Sequence, residues 1–314
     1  MTACRLVTGV AVLLALAAAT APGCGAPPQA PPDTAGPTTL TEVPSRPHLL
    51  YVSMASDDRF KRVAVAPLGA PDGAAFMTPL SCERVSFNGT HGICLSTAAE
   101  GNGSTWWGDI FDARFTRVGR VPLAGEPSRT RVSPDGRLAA YTVFESGHSY
   151  ADHRFSTRTT IVQLPSGESL GDLEQFSTER DGRPFARADF NFWGLSFAAD
   201  SDTFYATLDT DGVSYLVRGS VRARRMEVLH AGVECPSLSP DNRRIAFKQR
   251  LGARSLGWWQ IAVLDLSTMT VTPVSRETRS VDDQVEWLDD DRVIYHLTGG
   301  QSAADLWTVR VDDT

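Results

Sequence analysis

A short turn recurs along this chain, and it constrains the fold more than any other feature. Leu238-Ser239-Pro240-Asp241-Asn242-Arg243-Arg244-Ile245-Ala246-Phe247 reads as the end of one strand, a tight turn and the start of the next. Proline presets φ at the first central position, and Asp and Asn bond nearby backbone or tolerate a left-handed conformation. Ile245, Ala246 and Phe247 then make a short buried strand. The pattern returns at residues 132–141 (VSPDGRLAAY) and, in weaker form, at 197–205 and 287–295. A repeated turn implies a repeated unit.

From residue 38 onward, alternating or short apolar runs recur between Gly, Pro, Asp and Ser, with almost no helical period. They group in fours, in units opening near residues 38, 81, 128, 185, 232 and 281. Four strands in roughly 40–50 residues is the signature of a β-propeller blade. Shifting the chain by 153 residues lays Cys82 on Cys235, Val85 on Leu238, Trp106 on Trp259 and Asp112 on Asp265. The expected architecture is all-β: a six-bladed β-propeller with four-stranded blades over residues 38–314. The sixth unit is one strand short, and N-terminal residues are expected to complete it.

Ahead of the propeller, Arg5 precedes an apolar run over residues 6–21, too short to span a bilayer comfortably. The run closes on Ala21-Pro22-Gly23-Cys24, which resembles the lipobox of bacterial lipoproteins. That resemblance implies a signal peptide over 1–23, lipid on Cys24, and a domain held at the extracytoplasmic face of the cell membrane. Plain cleavage and secretion is the alternative. Residues 24–37 are rich in Pro and Ala and read as an extended tether. An exported chain matures where disulfides persist. Cys82 and Cys94 flank a strand ending in an Asn88-Gly89 turn and are expected to pair, leaving Cys235 as a buried thiol. A net charge of −7 argues against a general nucleic-acid binder.

Three segments, LSPDNRRIAF, VSPDGRLAAY and QIAVLDL (residues 260–266), resemble the propeller repeat of TolB. The resemblance covers most of residues 45–312, and TolB's preceding α/β domain has no counterpart here. The closer likeness is to the TolB-like lipoproteins of high-GC Gram-positive bacteria, which carry the propeller alone. It implies a non-catalytic binding role with no cofactor. The partner would be an envelope protein or a small polar ligand, and the chain is expected to act as a monomer.

Chemistry-bearing motifs are sparse. Gly147-His148-Ser149-Tyr150-Ala151 half-matches a nucleophile elbow but lacks the last Gly and the strand–turn–helix setting. Asp209-Thr210-Asp211-Gly212 begins like a calcium loop but is better explained as a β-turn. His148 and His153 lack the further ligands of a zinc site, so no metal site is assigned. The acid pairs at 282–283, 289–291 and 312–313 leave one alternative, a secreted propeller hydrolase of the glycosidase or lactonase kind. For binding, the links between second and third strands, and those between blades, share one face. They are the long ones, at 98–105, 145–158, 177–187 and 250–257. They carry or border Trp106, His148, Tyr150, His153, Phe185, Arg187, Arg250, Arg254 and Trp258, the residue types that dominate interface hot spots.

Overall fold

The computed structural model describes residues 39–69, 75–100, 103–145, 156–252, 257–298 and 304–312. The expected signal segment and tether, Cys24, and the candidates His148, Tyr150, His153 and Arg254 lie outside them. Six small sheets stand in a ring as the blades of a β-propeller. The first is β1 (His48–Val52), β2 (Arg62–Pro67) and β3 (Phe76–Ser81). The second is β4 (Arg84–Phe87), β5 (His91–Glu100), β6 (Gly103–Asp112) and β7 (Arg117–Pro122). The third is β8 (Glu126–Val132), β9 (Leu138–Glu145), β10 (Ser156–Gln163) and β11 (Ser169–Asp172). After β12 (Ser177–Arg180) and β13 (Arg183–Pro184) comes the fourth: β14 (Asn191–Phe197), β15 (Thr203–Thr210), β16 (Val213–Ser220) and β17 (Arg225–Ala231). The fifth is β18 (Glu234–Leu238), β19 (Arg244–Leu251), β20 (Trp258–Asp265) and β21 (Val271–Pro273). The sixth is β22 (Glu286–Trp287), β23 (Arg292–Thr298) and β24 (Ala304–Arg310). The 153-residue shift holds in the strands: β5 opens at His91 and β19 at Arg244, while β6 closes at Asp112 and β20 at Asp265.

The recurrent turn owes its shape to one small network. Ser133 Oγ donates to Asp135 Oδ1 at 2.7 Å and accepts from Leu138 N at 2.9 Å, while Arg137 N donates to Asp135 Oδ1 at 3.0 Å. Ser239 and Asp241 repeat every bond, with Arg244 N on Ser239 Oγ at 2.9 Å and Arg243 N on Asp241 Oδ1 at 3.0 Å. Ser and Asp thus satisfy backbone donors that the tight turn would leave unpaired.

Blade composition departs from uniform fours. The second, third and fifth sheets have four strands, the first and sixth have three, and the fourth has six. The extra pair in the fourth comes from the segment expected to be a long loop entering that blade. β12 lies parallel to β17, with Ser177 beside Arg225 and Glu179 beside Glu227, and β13 folds back on it. The expected completion of the sixth blade by N-terminal residues is not seen among the described residues. Thr39 instead bridges Met77 of the first blade in parallel, and Leu40 N donates to Met77 O at 2.7 Å.

The core is layered between blades. Five buried apolar clusters lie between successive sheets, from first–second (Val63, Val65, Phe111) round to fifth–sixth (Ile261, Val285, Val293). Cys82 and Cys94 are joined by a disulfide within the first of these layers, their Cα atoms 5.4 Å apart. Cys235 is a free, buried thiol in the fifth blade, three blades away round the ring. Its backbone packs so closely on Gly194 that a Cβ there would stand 2.8 Å from Cys235 Cα. Gly194 also has a positive φ of 64°, which glycine adopts without strain.

Candidate functional site

The innermost strands line the central channel, and one position in them can be followed round all six blades. It is fixed by the turn bond two residues later, in which an N–H donates to the carbonyl at the start of the second strand. Ser53, Asn88, Ser133, Ala198, Ser239 and Leu288 supply that N–H. Two residues earlier stand Tyr51, Ser86, Arg131, Ser196, Ser237 and Glu286. Serine is the working residue here. Ser86 Oγ accepts from Val132 N of the next blade at 2.9 Å, and Ser196 Oγ accepts from Leu238 N at 3.1 Å. These bonds tie inner strands of neighbouring blades.

Arg131 and Glu286 break this pattern in opposite blades, the third and the sixth. Arg131 Nη1 donates to Glu286 Oε2, an ion pair that spans the channel. Beside it is a recess of about 420 Å³, walled by β1, β4 and the sixth blade and including Tyr51, Arg131, Asp283, Glu286 and His296. Val85, Phe87, Ile294 and Leu306 give it an apolar floor. Arg131 Nε and Nη2 and His296 Nε2 are buried there without a hydrogen-bond partner. This pair has a signal in the sequence, a charged residue inside an inner strand where other copies carry Ser. Loop length does not point to it, because both residues lie in strands.

Of the expected binding-face residues, Arg250 and Trp258 sit together at the loop end of the fifth blade. Arg250 lies opposite Trp259, with its guanidinium 4.0 Å from that ring centre. Next to it, Leu251 and Trp258 face each other across the strands, 41% and 49% exposed. Sequence position alone does not mark Leu251, because an apolar residue before a Gly reads as a strand end. Behind this pair the wall is ionic. Lys248 Nζ donates to Asp282 Oδ1 at 2.5 Å and lies 4.2 Å from the Trp259 ring centre. Burial acts to lower its pKa, but Cys235, Asp282 and Glu234 outweigh that and raise it. Burial pushes the Glu234 carboxyl up, and Lys248, Ser214 and Arg250 only partly offset this. A lysine held charged in this way is a poor nucleophile.

The other described candidates lie elsewhere on the ring. Trp106 packs against the apolar layer between the second and third blades. Phe185 packs on the layer between the third and fourth, 5.2 Å from the Phe190 ring centre. Arg187 is exposed and lies over Phe185 at 5.2 Å. Asp209 and Asp211 flank a β-strand turn, Asp211 N donating to Asp189 Oδ2 at 2.8 Å. Among the described residues, no three His, Cys, Asp or Glu side chains converge as metal ligands.

TolB from Acinetobacter baumannii superposes with a TM-score of 0.59 at 16% identity, over 85% of this chain and 62% of that one. A protein of Agrobacterium tumefaciens assigned to TolB superposes with a TM-score of 0.50 at 13% identity, over 76% of this chain and 80% of that one. The fold is that of a TolB-type propeller. The chain thus spans less than two thirds of the length of the Acinetobacter protein. The TolB-type ring is also similar to Kuenenia stuttgartiensis hydrazine synthase, with a TM-score of 0.51 at 14% identity, over 92% of this chain and 81% of that one. No family model and no curated protein matches the sequence. Likeness at these identities establishes the fold alone.

Proposed function

We propose that this TolB-type propeller is a non-catalytic binding module of the cell envelope. In this reading Cys24 carries the lipid and residues 24–37 hold the ring off the extracytoplasmic face of the membrane, as in the TolB-like lipoproteins of high-GC Gram-positive bacteria. One observation carries the binding role. Leu251 and Trp258 form an exposed apolar pair beside Arg250, at the loop end of a rigid blade. Apolar area left in water on a fixed scaffold, with an aromatic and an Arg in it, is the composition of an interface hot spot.

The test captures partners from crosslinked envelopes with the full-length lipoprotein as bait. The Leu251→Ala/Trp258→Ala pair is expected to lose most of the captured protein, while Arg137→Ala/Arg243→Ala on the opposite face keeps it. Mass spectrometry of the same bait reads whether Cys24 bears lipid. Loss with the control pair alone overturns the choice of face. Turnover of a glycoside or lactone by the purified chain overturns the non-catalytic reading.

A further inference from the structure

The geometry points to a second, small-molecule site in the channel recess, one that takes a free α-amino acid. It rests on the reading of the chain as a binding module and names a ligand for a different part of the ring. The repeat itself sets two residues apart. At the inner-strand position followed above, three blades carry a small neutral residue, Ser86, Ser196 or Ser237, and the first carries Tyr51. Arg131 and Glu286 stand there in opposite blades, and both line the recess.

Neither charge is used up by the other. Arg131 spends Nη1 on Glu286, and its Nε and Nη2 are buried without a partner. Those two N–H groups lie side by side on one edge of the guanidinium, the fork that matches both oxygens of a carboxylate. A buried donor left unpaired is costly, so this edge has a strong preference for an oxygen ligand. Glu286 meets Arg131 through Oε2 and is 49% exposed, so Oε1 remains open to a cation. With the guanidinium edge turned toward it, the recess would offer a carboxylate seat beside the ammonium seat at Glu286, within one volume of about 420 Å³. A free α-amino acid carries both groups on one carbon. Its side chain would lie on Val85, Phe87, Ile294 and Leu306, which favours an apolar one.

Isothermal titration calorimetry of the full chain tests this, with leucine and phenylalanine as probes and N-acetyl-leucine and leucinamide as their blocked forms. Saturable binding of a free amino acid is expected, weakened at least about tenfold by blocking either end. Arg131→Lys, which keeps the charge and loses the fork, and Glu286→Gln are expected to weaken it similarly. Leu306→Trp fills the recess without touching a polar group and is expected to abolish binding while leaving the melting temperature near that of the parent. The site is rejected if neither probe binds, if the blocked forms bind as well as the parents, or if Arg131→Lys and Leu306→Trp bind unchanged. Rejection with envelope capture intact removes this ligand and leaves the binding module. Hydrolytic turnover removes the module and leaves the titration to stand alone.

Discussion

Glu277 shows how a single side chain can set the acid stability of this ring. It lies in the link from the fifth blade to the sixth and is buried. Arg279 donates to it from N and Nε, each at 2.8 Å, and from Nη2 at 2.6 Å, and the Tyr295 hydroxyl of β23 donates to Oε2. The Arg279 side chain is the main reason that its carboxyl falls to about 2, with Tyr295 adding to the effect against the opposing influence of burial. An unfolded glutamate titrates at about 4.3. The folded value is the lower one, so the contribution to stability is complete above the unfolded value. It is lost as pH falls from there through about 2. Glu277→Gln should cost about 1–3 kcal/mol at pH 7 and almost nothing at pH 2. Urea unfolding of both proteins across that range measures the gap. A gap that stays constant with pH would mean that the carboxylate charge is not what Tyr295 and Arg279 recognise.

At the scale of the element, the first-to-second strand turn is a unit whose energy sits in two side chains. Asp135 is pulled up by burial, but the donors of Ser133 and Arg137 overcome this and bring it to about 2. Asp241 moves in the same direction for the same reasons. Replacing either Asp by Ala removes the acceptor for a turn N–H and for the Ser hydroxyl, and should destabilise the fold by about 1–2 kcal/mol. The two losses should add, because the turns belong to the third and fifth blades and share no partner. Thermal melts of the single and double variants would show this, and unchanged melting temperatures would refute it. These turns are legible in the sequence because their bonds run between residues two to five apart. The β12–β17 pairing is not legible, because a parallel neighbour contributed by a distant segment leaves no local period. How far Trp106 and Phe185 are covered is not legible either. An aromatic residue beside a loop looks the same in sequence whether its ring faces water or the layer between two blades. Arg131 and Glu286 can be placed as a pair only once the ring sets the third blade opposite the sixth.

For the whole molecule, the consequence of the fold lies in how unevenly the ring is closed. Successive blades from first to sixth are cemented by five buried apolar layers. Where the sixth meets the first, the described residues place the recess, and both flanking sheets have three strands. Burial of apolar surface is the chief force holding sheets together, so among the described residues the blades on either side of the recess lean on one layer each where the others lean on two. Local opening draws on the least buried parts of a structure. Amides in β2 and β23 should therefore exchange with deuterium sooner than those in β5, β9, β15 and β19. In β23 only Val293 and Ile294 have strand partners on both sides, so the comparison there is confined to those two residues. Native-state exchange followed by mass spectrometry gives the order directly. Saturating the recess with an amino acid that bridges the third and sixth blades should slow β23 and leave β9 unchanged. Uniform exchange round the ring would show that the seam is as strong as the layers. The stability would then have to come from polar ties such as the Arg131–Glu286 pair rather than from apolar burial.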